Sequence, residues 1–117
     1  MEWRRIASGL FAAKPVDIEG PARVVVGLSS IVALMKEGSD EQFIVLTNVA
    51  GGSGVSTIIQ RAKAIVSTIG GANSHIVVVA RDHGTPCIVG AEGLDLQSVP
   101  SGAHMRLRRN GDVEIFQ

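Results

Sequence analysis

Short β-branched runs alternate along the chain with segments whose apolar residues recur at helical spacing, and glycines mark many of the joins. "ARVVVG" (22–27) is such a run, closed by Gly27, and predicts a strand. In the following "SSIVALMKEG", Ile31, Leu34 and Met35 fall on one helical face. Ser30 is placed to cap that helix and Gly38 to stop it. "QFIVLT" (42–47) predicts the next strand. "GGSGVSTIIQRA" (51–62) predicts a Gly-rich connecting turn and then a short helix, with Thr57 and Gln60 at capping-box spacing. "AIVS" (64–67) and "PCIVG" (86–90) predict short buried strands. The closing "HMRLRRNGDVEIFQ" predicts a hairpin turning at Asn110-Gly111, a dipeptide that tolerates the positive φ angles of a tight turn.

One segment supports two readings. By propensity, Ile76 to Val79 in "HIVVVARDHG" form a strand. Asn73 and Ser74 can instead cap a helix whose end is Gly84, and a fully buried helix also reads as a continuous apolar run. Pattern alone leaves these two open. Strands alternating with helices, followed by a hairpin, give a mixed α/β fold in a single domain over residues 1–117.

Composition narrows the function. A 117-residue chain with 45% hydrophobic and 19% charged residues is globular and can bury a core without staples. Eleven basic and eleven acidic residues cancel, and 3% aromatic content with no Tyr leaves no base-stacking platform, so nucleic acid and membrane surfaces are not expected partners. Cys87 is the single cysteine, which precludes an intrachain disulfide and a Cys-rich zinc site and fits a reducing, cytoplasmic setting. In an apolar strand it is expected as packed core. The opening "MEWRRIASGLFAAK" has a basic end, but Ser8 and Gly9 interrupt its short apolar part, so no signal peptide is expected. No run approaches the ~20 apolar residues of a membrane span.

The chemistry concentrates in "GGANSHIVVVARDHGTPCIVG". It holds Gly70, Gly71, Ser74, His75, Ala80, Arg81, Gly84, Pro86 and Gly90. The stretch resembles the phosphohistidine, or swivelling, domain of the phosphoenolpyruvate-utilising enzymes. Pyruvate phosphate dikinase, phosphoenolpyruvate synthase, phosphotransferase enzyme I and rifampicin phosphotransferase belong to that family. Its signature is a Gly-Gly pair, two or three variable residues, Ser/Cys/Thr-His, a small apolar run, Ala-Arg, then Gly-x-Pro-x-x-x-Gly. "RAKAIVSTIGG" is similar to the family's approach strand and "EGPARVVVG", more loosely, to its first strand.

The resemblance implies a single-domain β/β/α swivelling fold in which residues 74–83 are helical. It implies that His75 carries a phosphoryl group, with Gly70, Gly71, Asn73, Ser74 and Arg81 binding phosphate or shaping the site. Residue chemistry agrees: imidazole is nucleophilic near neutral pH, and a helix beginning at Ser74 or His75 would aim free amides and a positive dipole end at a phosphate. Gly70 and Gly71 would let backbone and donor approach closely. For Arg81, six residues beyond His75 and turned about 240° around a helix, a structural ion pair is expected before a phosphate contact. For Ser74, a helix cap and a phosphate donor stand level. His83 is expected at the surface near the helix end, and His104 in a structural role.

Two positions depart from the family pattern. Asn73 replaces a frequent Thr two residues before the histidine, and Thr68-Ile69 replaces an acidic residue before the Gly-Gly pair. A degenerate, non-phosphorylated interaction or regulatory module is therefore the alternative expectation. The chain itself is expected to bind no cofactor or metal. Mg and ATP or phosphoenolpyruvate are expected on nucleotide-binding or barrel-shaped partners, which makes this the phosphohistidine component of a multi-part phosphotransferase and not a complete enzyme.

Overall fold

In a computed structural model, described for residues 1–37, 39–52 and 54–117, three strand–helix units run in succession. β1 (Trp3–Ala13) leads into β2 (Ile18–Val25), α1 (Gly27–Lys36), β3 (Phe43–Thr47), α2 (Gly54–Arg61), β4 (Ala62–Ser67), α3 (His75–His83) and β5 (Cys87–Glu92). The hairpin of β6 (His104–Leu107) and β7 (Asp112–Phe116) ends the chain. Neighbouring pairs β2–β3, β3–β4 and β4–β5 are parallel. The pairs β1–β5, β1–β7, β6–β7 and β2–β6 are antiparallel. The sheet therefore closes in the order β1-β5-β4-β3-β2-β6-β7.

Two apolar cores result. Ile44, Leu46, Val66, Ile88, Met105 and Leu107 fill the barrel interior. Val45, Ile65 and Val89 alternate with them and meet Leu34, Ile58, Ile76 and Val77 of the helices on the outside of the parallel wall. β3 is buried along its full length, as a strand covered on both faces should be. Antiparallel wall, parallel wall and helices make the β/β/α layering of the expected α/β fold.

The structure revises several boundaries. β1 was not anticipated, because register shifts between Ser8 and Leu10 and again near Phe11 and Ala13 break the period-two pattern that identifies a strand. β2 begins at Ile18, four residues before the expected run. Gly27, with φ +76°, does not close that strand but turns the chain into α1. Ser30 therefore lies inside α1, and no side chain caps its start. Leu34 is buried and Ile31 packs partly, but Met35 points to solvent. The stop expected at Gly38 lies outside the described residues. Thr57 and Gln60 are both within α2, so they form no capping box. In the hairpin turn only Gly111 takes positive φ (+100°); Asn110 instead accepts a hydrogen bond from the Asp112 amide through Oδ1 at 3.0 Å.

The ambiguous segment is helical. Ser74 sits at the N-cap in extended conformation, and Gly84 ends α3 with φ +65° and ψ +31°. Its amide reaches the Arg81 carbonyl at 3.2 Å, and the Thr85 amide reaches that of Ala80 at 2.9 Å. Ile76, Val77 and Ala80 bury one face. Tertiary burial of that face overrides the strand preference of three consecutive valines.

Candidate functional site

Parallel strands bring their carboxyl ends to one edge, and the loops leaving β3 and β4 meet there. Two buried hydroxyls stitch them together. Thr47 Oγ1 donates to the Val25 carbonyl at 2.7 Å and accepts from the Val49 amide at 3.2 Å. One strand over, Ser67 Oγ donates to the Val49 carbonyl at 2.9 Å and accepts from the Ile69 amide at 3.3 Å. Thr47 and Ser67 are register partners. Thr47 thus satisfies a carbonyl at the end of β2 and Ser67 one in the loop after β3, and each accepts from the amide two residues on.

This stitching leads to His75. The Ile76 amide donates to the Ala50 carbonyl at 3.0 Å, which fastens the first turn of α3 to the loop after β3. A Cβ on Gly51 would lie 3.8 Å from the His75 Cβ, so that loop runs directly beside the histidine. "GGSGVST", expected as a plain connecting turn, is partly a wall of the site. Ala50, Gly51, Thr47 and Ser67 are absent from the motif reading. Their available signal is a hydroxyl residue ending each of two adjacent buried strands, in "LTNV" and "VSTI".

The glycine pair divides its work. Gly70 has φ +95°, and a Cβ there would meet Ser74 Oγ at 2.7 Å and the Ala50 Cβ at 3.1 Å. Gly71 has no positive φ and open space where a Cβ would stand. The conformational demand falls on Gly70 alone. The Gly71 amide donates to Ser74 Oγ at 2.7 Å, while the Ser74 amide donates to the Gly71 carbonyl at 3.0 Å. Ser74 therefore locks a four-residue turn and does not cap α3 with its side chain. Among the described residues its hydroxyl donates to no partner.

The His75 side chain is exposed, and among the described residues its ring has no hydrogen-bond partner. Asn73 is exposed beside it. With the Ile76 amide engaged by Ala50, the helix start offers an anion fewer free amides than an isolated helix end would. Arg81 is not brought to this place. Its Nε and Nη2 donate to the Ala12 carbonyl of β1 at 3.2 and 3.1 Å, so the expected ion pair is replaced by a grip on backbone. His83 hydrogen-bonds the Val79 carbonyl through Nδ1 at 3.0 Å near the end of α3. His104 meets Glu19 at 3.1 Å and lies against Trp3 in the barrel wall. Cys87 is core, and burial pushes its thiol up to about 12. Among the described residues no group of three metal-ligating side chains is present, and no helix is long and apolar enough to cross a membrane.

The family model described as PEP-utilising enzyme, mobile domain, matches residues 40–107, more than half of the chain. Rifampicin phosphotransferase of Bacillus subtilis (strain 168) is 29% identical over 121 residues, covering 98% of this chain. The chain spans only 13% of that relative's length. Among solved structures, Thermococcus kodakaraensis aconitase X in its holo form shares the fold with TM-score 0.56 and 16% identity, over 95% of this chain and 98% of the other. An Enzyme I protein solved by NMR shares it with TM-score 0.54 and 22% identity, over 67% of this chain and 32% of that one.

Proposed function

The chain belongs to the mobile-domain family of PEP-utilising enzymes, and from that premise we propose that it is a phosphocarrier whose His75 accepts a phosphoryl group from one active site and delivers it to another. The single observation that carries this reading is the exposed His75 ring, unpartnered among the described residues and mounted at the start of a helix anchored on its other face. A ring serving structure would be expected to engage a partner, as His83 and His104 do.

The chemistry asks little of the chain itself. Neutral imidazole attacks phosphorus through its lone-pair nitrogen, and the P–O bond of the donor breaks as the P–N bond forms. The Ser74 hydroxyl and the Asn73 amide group, adjacent to His75 in the chain, are the side chains that would donate to the phosphoryl oxygens. The donor, ATP or phosphoenolpyruvate with Mg, would be held by nucleotide-binding or barrel-type partners, and we place the whole in the cytoplasm. The relative's much greater length supports such additional parts.

The test is labelling. With an ATP- or phosphoenolpyruvate-using partner the protein should gain one phosphate that is lost in acid and survives alkali, the opposite of a phosphoserine on Ser74. His75→Ala should abolish it, whereas His83→Ala and His104→Ala should label normally. Labelling that persists in His75→Ala would remove the site assignment. Absence of labelling with an active partner would favour a regulatory module that keeps the fold without the chemistry.

A further inference from the structure

Far from His75 along the sequence, the β6–β7 turn carries a chemistry of its own. Asn110 is the only asparagine followed by glycine; Asn48 precedes Val49 and Asn73 precedes Ser74. With no side chain to crowd it, the Gly111 amide nitrogen is able to attack Cγ of Asn110. The N–Cγ bond forms, the Cγ–Nδ2 bond breaks, and ammonia leaves with the amide proton. Water then opens the cyclic imide at either carbonyl. The products are aspartate and isoaspartate, the second with the side-chain carbon inserted into the backbone.

In the folded protein the atoms of that step are engaged elsewhere. Asn110 is exposed, but Gly111 is buried. The Gly111 amide donates to the Arg108 carbonyl at 2.9 Å, so loss of its proton would leave a lone pair facing that oxygen. Asn110 Oδ1 accepts from the Asp112 amide at 3.0 Å, and Nδ2 donates to Asp112 Oδ2 at 3.3 Å. The carboxamide is thereby held toward residue 112 and away from the Gly111 nitrogen. Asp112 is fixed in turn: its carbonyl accepts from the Arg108 amide at 2.8 Å, and its carboxylate lies 3.8 Å from Arg5 of β1. The Gly111 carbonyl takes the Gly9 amide of β1 at 3.0 Å, and a Cβ on Gly111 would run into the Gly9 carbonyl. The same contacts close the barrel and restrain the nucleophile.

We propose that Asn110 is a deamidation site guarded by barrel closure. It converts when the β6–β7 turn parts from β1, and the extra backbone carbon of isoaspartate then keeps Gly111 from returning to its place against Gly9. The modification marks, irreversibly, molecules whose seam has opened. When reclosing outpaces the chemistry, the folded rate is the unfolded rate scaled by the open fraction.

The test holds the full chain at pH 8, folded in buffer and unfolded in guanidinium chloride, and reads the Asn110 peptide by mass and retention time. In the unfolded chain Asn110 should convert ahead of Asn48 and Asn73. In the folded chain it should convert more than ~10-fold more slowly than in the unfolded one. Asp112→Ala, which frees Nδ2, should narrow that ratio at least ~3-fold. The isoaspartyl chain, made in denaturant and refolded, should melt below Asn110→Asp, which adds the charge without the backbone carbon. Conversion of Asn48 or Asn73 first in the unfolded chain would overturn the site. A folded rate within ~10-fold of the unfolded one, or a ratio unchanged in Asp112→Ala, would overturn the guard. An isoaspartyl chain that melts with Asn110→Asp would overturn the effect on the seam.

Discussion

A methyl group on Gly70 would meet the Ser74 hydroxyl and the Ala50 side chain on a backbone already at φ +95°, whereas one on Gly71 would enter open space. Gly70→Ala should therefore destabilise the fold by about 1–3 kcal/mol, a fall of roughly 4–20 °C in melting temperature for a domain of this size. Gly71→Ala should melt within about 2 °C of wild type, since no contact or positive φ opposes it. Equal melting temperatures for the two variants would mean that the turn from Gly70 to Ser74 is not held as described. Cys87 offers a second check on packing at this scale. Burial raises its thiol to about 12, so it should resist iodoacetamide at pH 8 in the native protein and react once urea unfolds the chain. At residue scale the sequence already pointed to His75, because the motif around it is long and its spacing constrained. It did not say which glycine is strained or that Ser74 faces back onto Gly71. Both depend on how the turn closes in space.

Elements bounded by local chemistry were the legible ones. For α3 the caps offered by Asn73, Ser74 and Gly84 only balanced the strand preference of its valines, and the family resemblance tipped the expectation to a helix. β1 could not be expected, because bulges shift its alternation and Gly9 interrupts it; a Cβ on Gly9 would strike the Val89 carbonyl at 2.7 Å. That glycine belongs to strand packing, a fact visible only from the partner strand. The links between elements are also non-local. Thr47 and Ser67 end separate strands, yet together they fix the two loops that flank His75. Thr47→Val keeps the shape but strands the Val25 carbonyl and the Val49 amide, and should lower stability by about 1–3 kcal/mol. Thr47→Ser, which retains the hydroxyl, should recover part of that loss. Denaturant midpoints for the pair decide the matter: if Val matches wild type while Ser falls, the methyl and not the hydrogen bonds accounts for the effect.

Closure of the barrel is the feature that no window of sequence could display, because β1 and β7 come from opposite ends of the chain. The seam is tight: Gly9 donates to the Gly111 carbonyl at 3.0 Å, and a Cβ on Gly111 would sit 2.1 Å from the Gly9 carbonyl oxygen. At the other edge of the molecule a charged cluster binds four elements together. Arg23 of β2 pairs with Glu37, just past α1, and Arg61 of α2 reaches the same carboxylate at 3.3 Å while both guanidiniums lie near the Phe43 ring of β3. The hydrogen bond from Arg23 holds the Glu37 carboxyl below its ordinary 4.5, with Arg61 adding to the effect. Because the folded value is the lower one, the unfolded chain binds the proton first. The contribution is thus complete at neutral pH and is lost as pH falls from about 4.5 through the folded value. Glu37→Gln should accordingly be less stable than wild type at pH 7, with the two urea midpoints converging as pH is lowered from 5 to 3. The carboxylate is partly exposed, so solvent screening keeps the difference modest, and added salt should shrink it at pH 7. A gap that stays constant across that range would show that Glu37 acts through shape alone, and that the Arg23–Glu37–Arg61 cluster contributes no charge-dependent tie between the helices and the sheet.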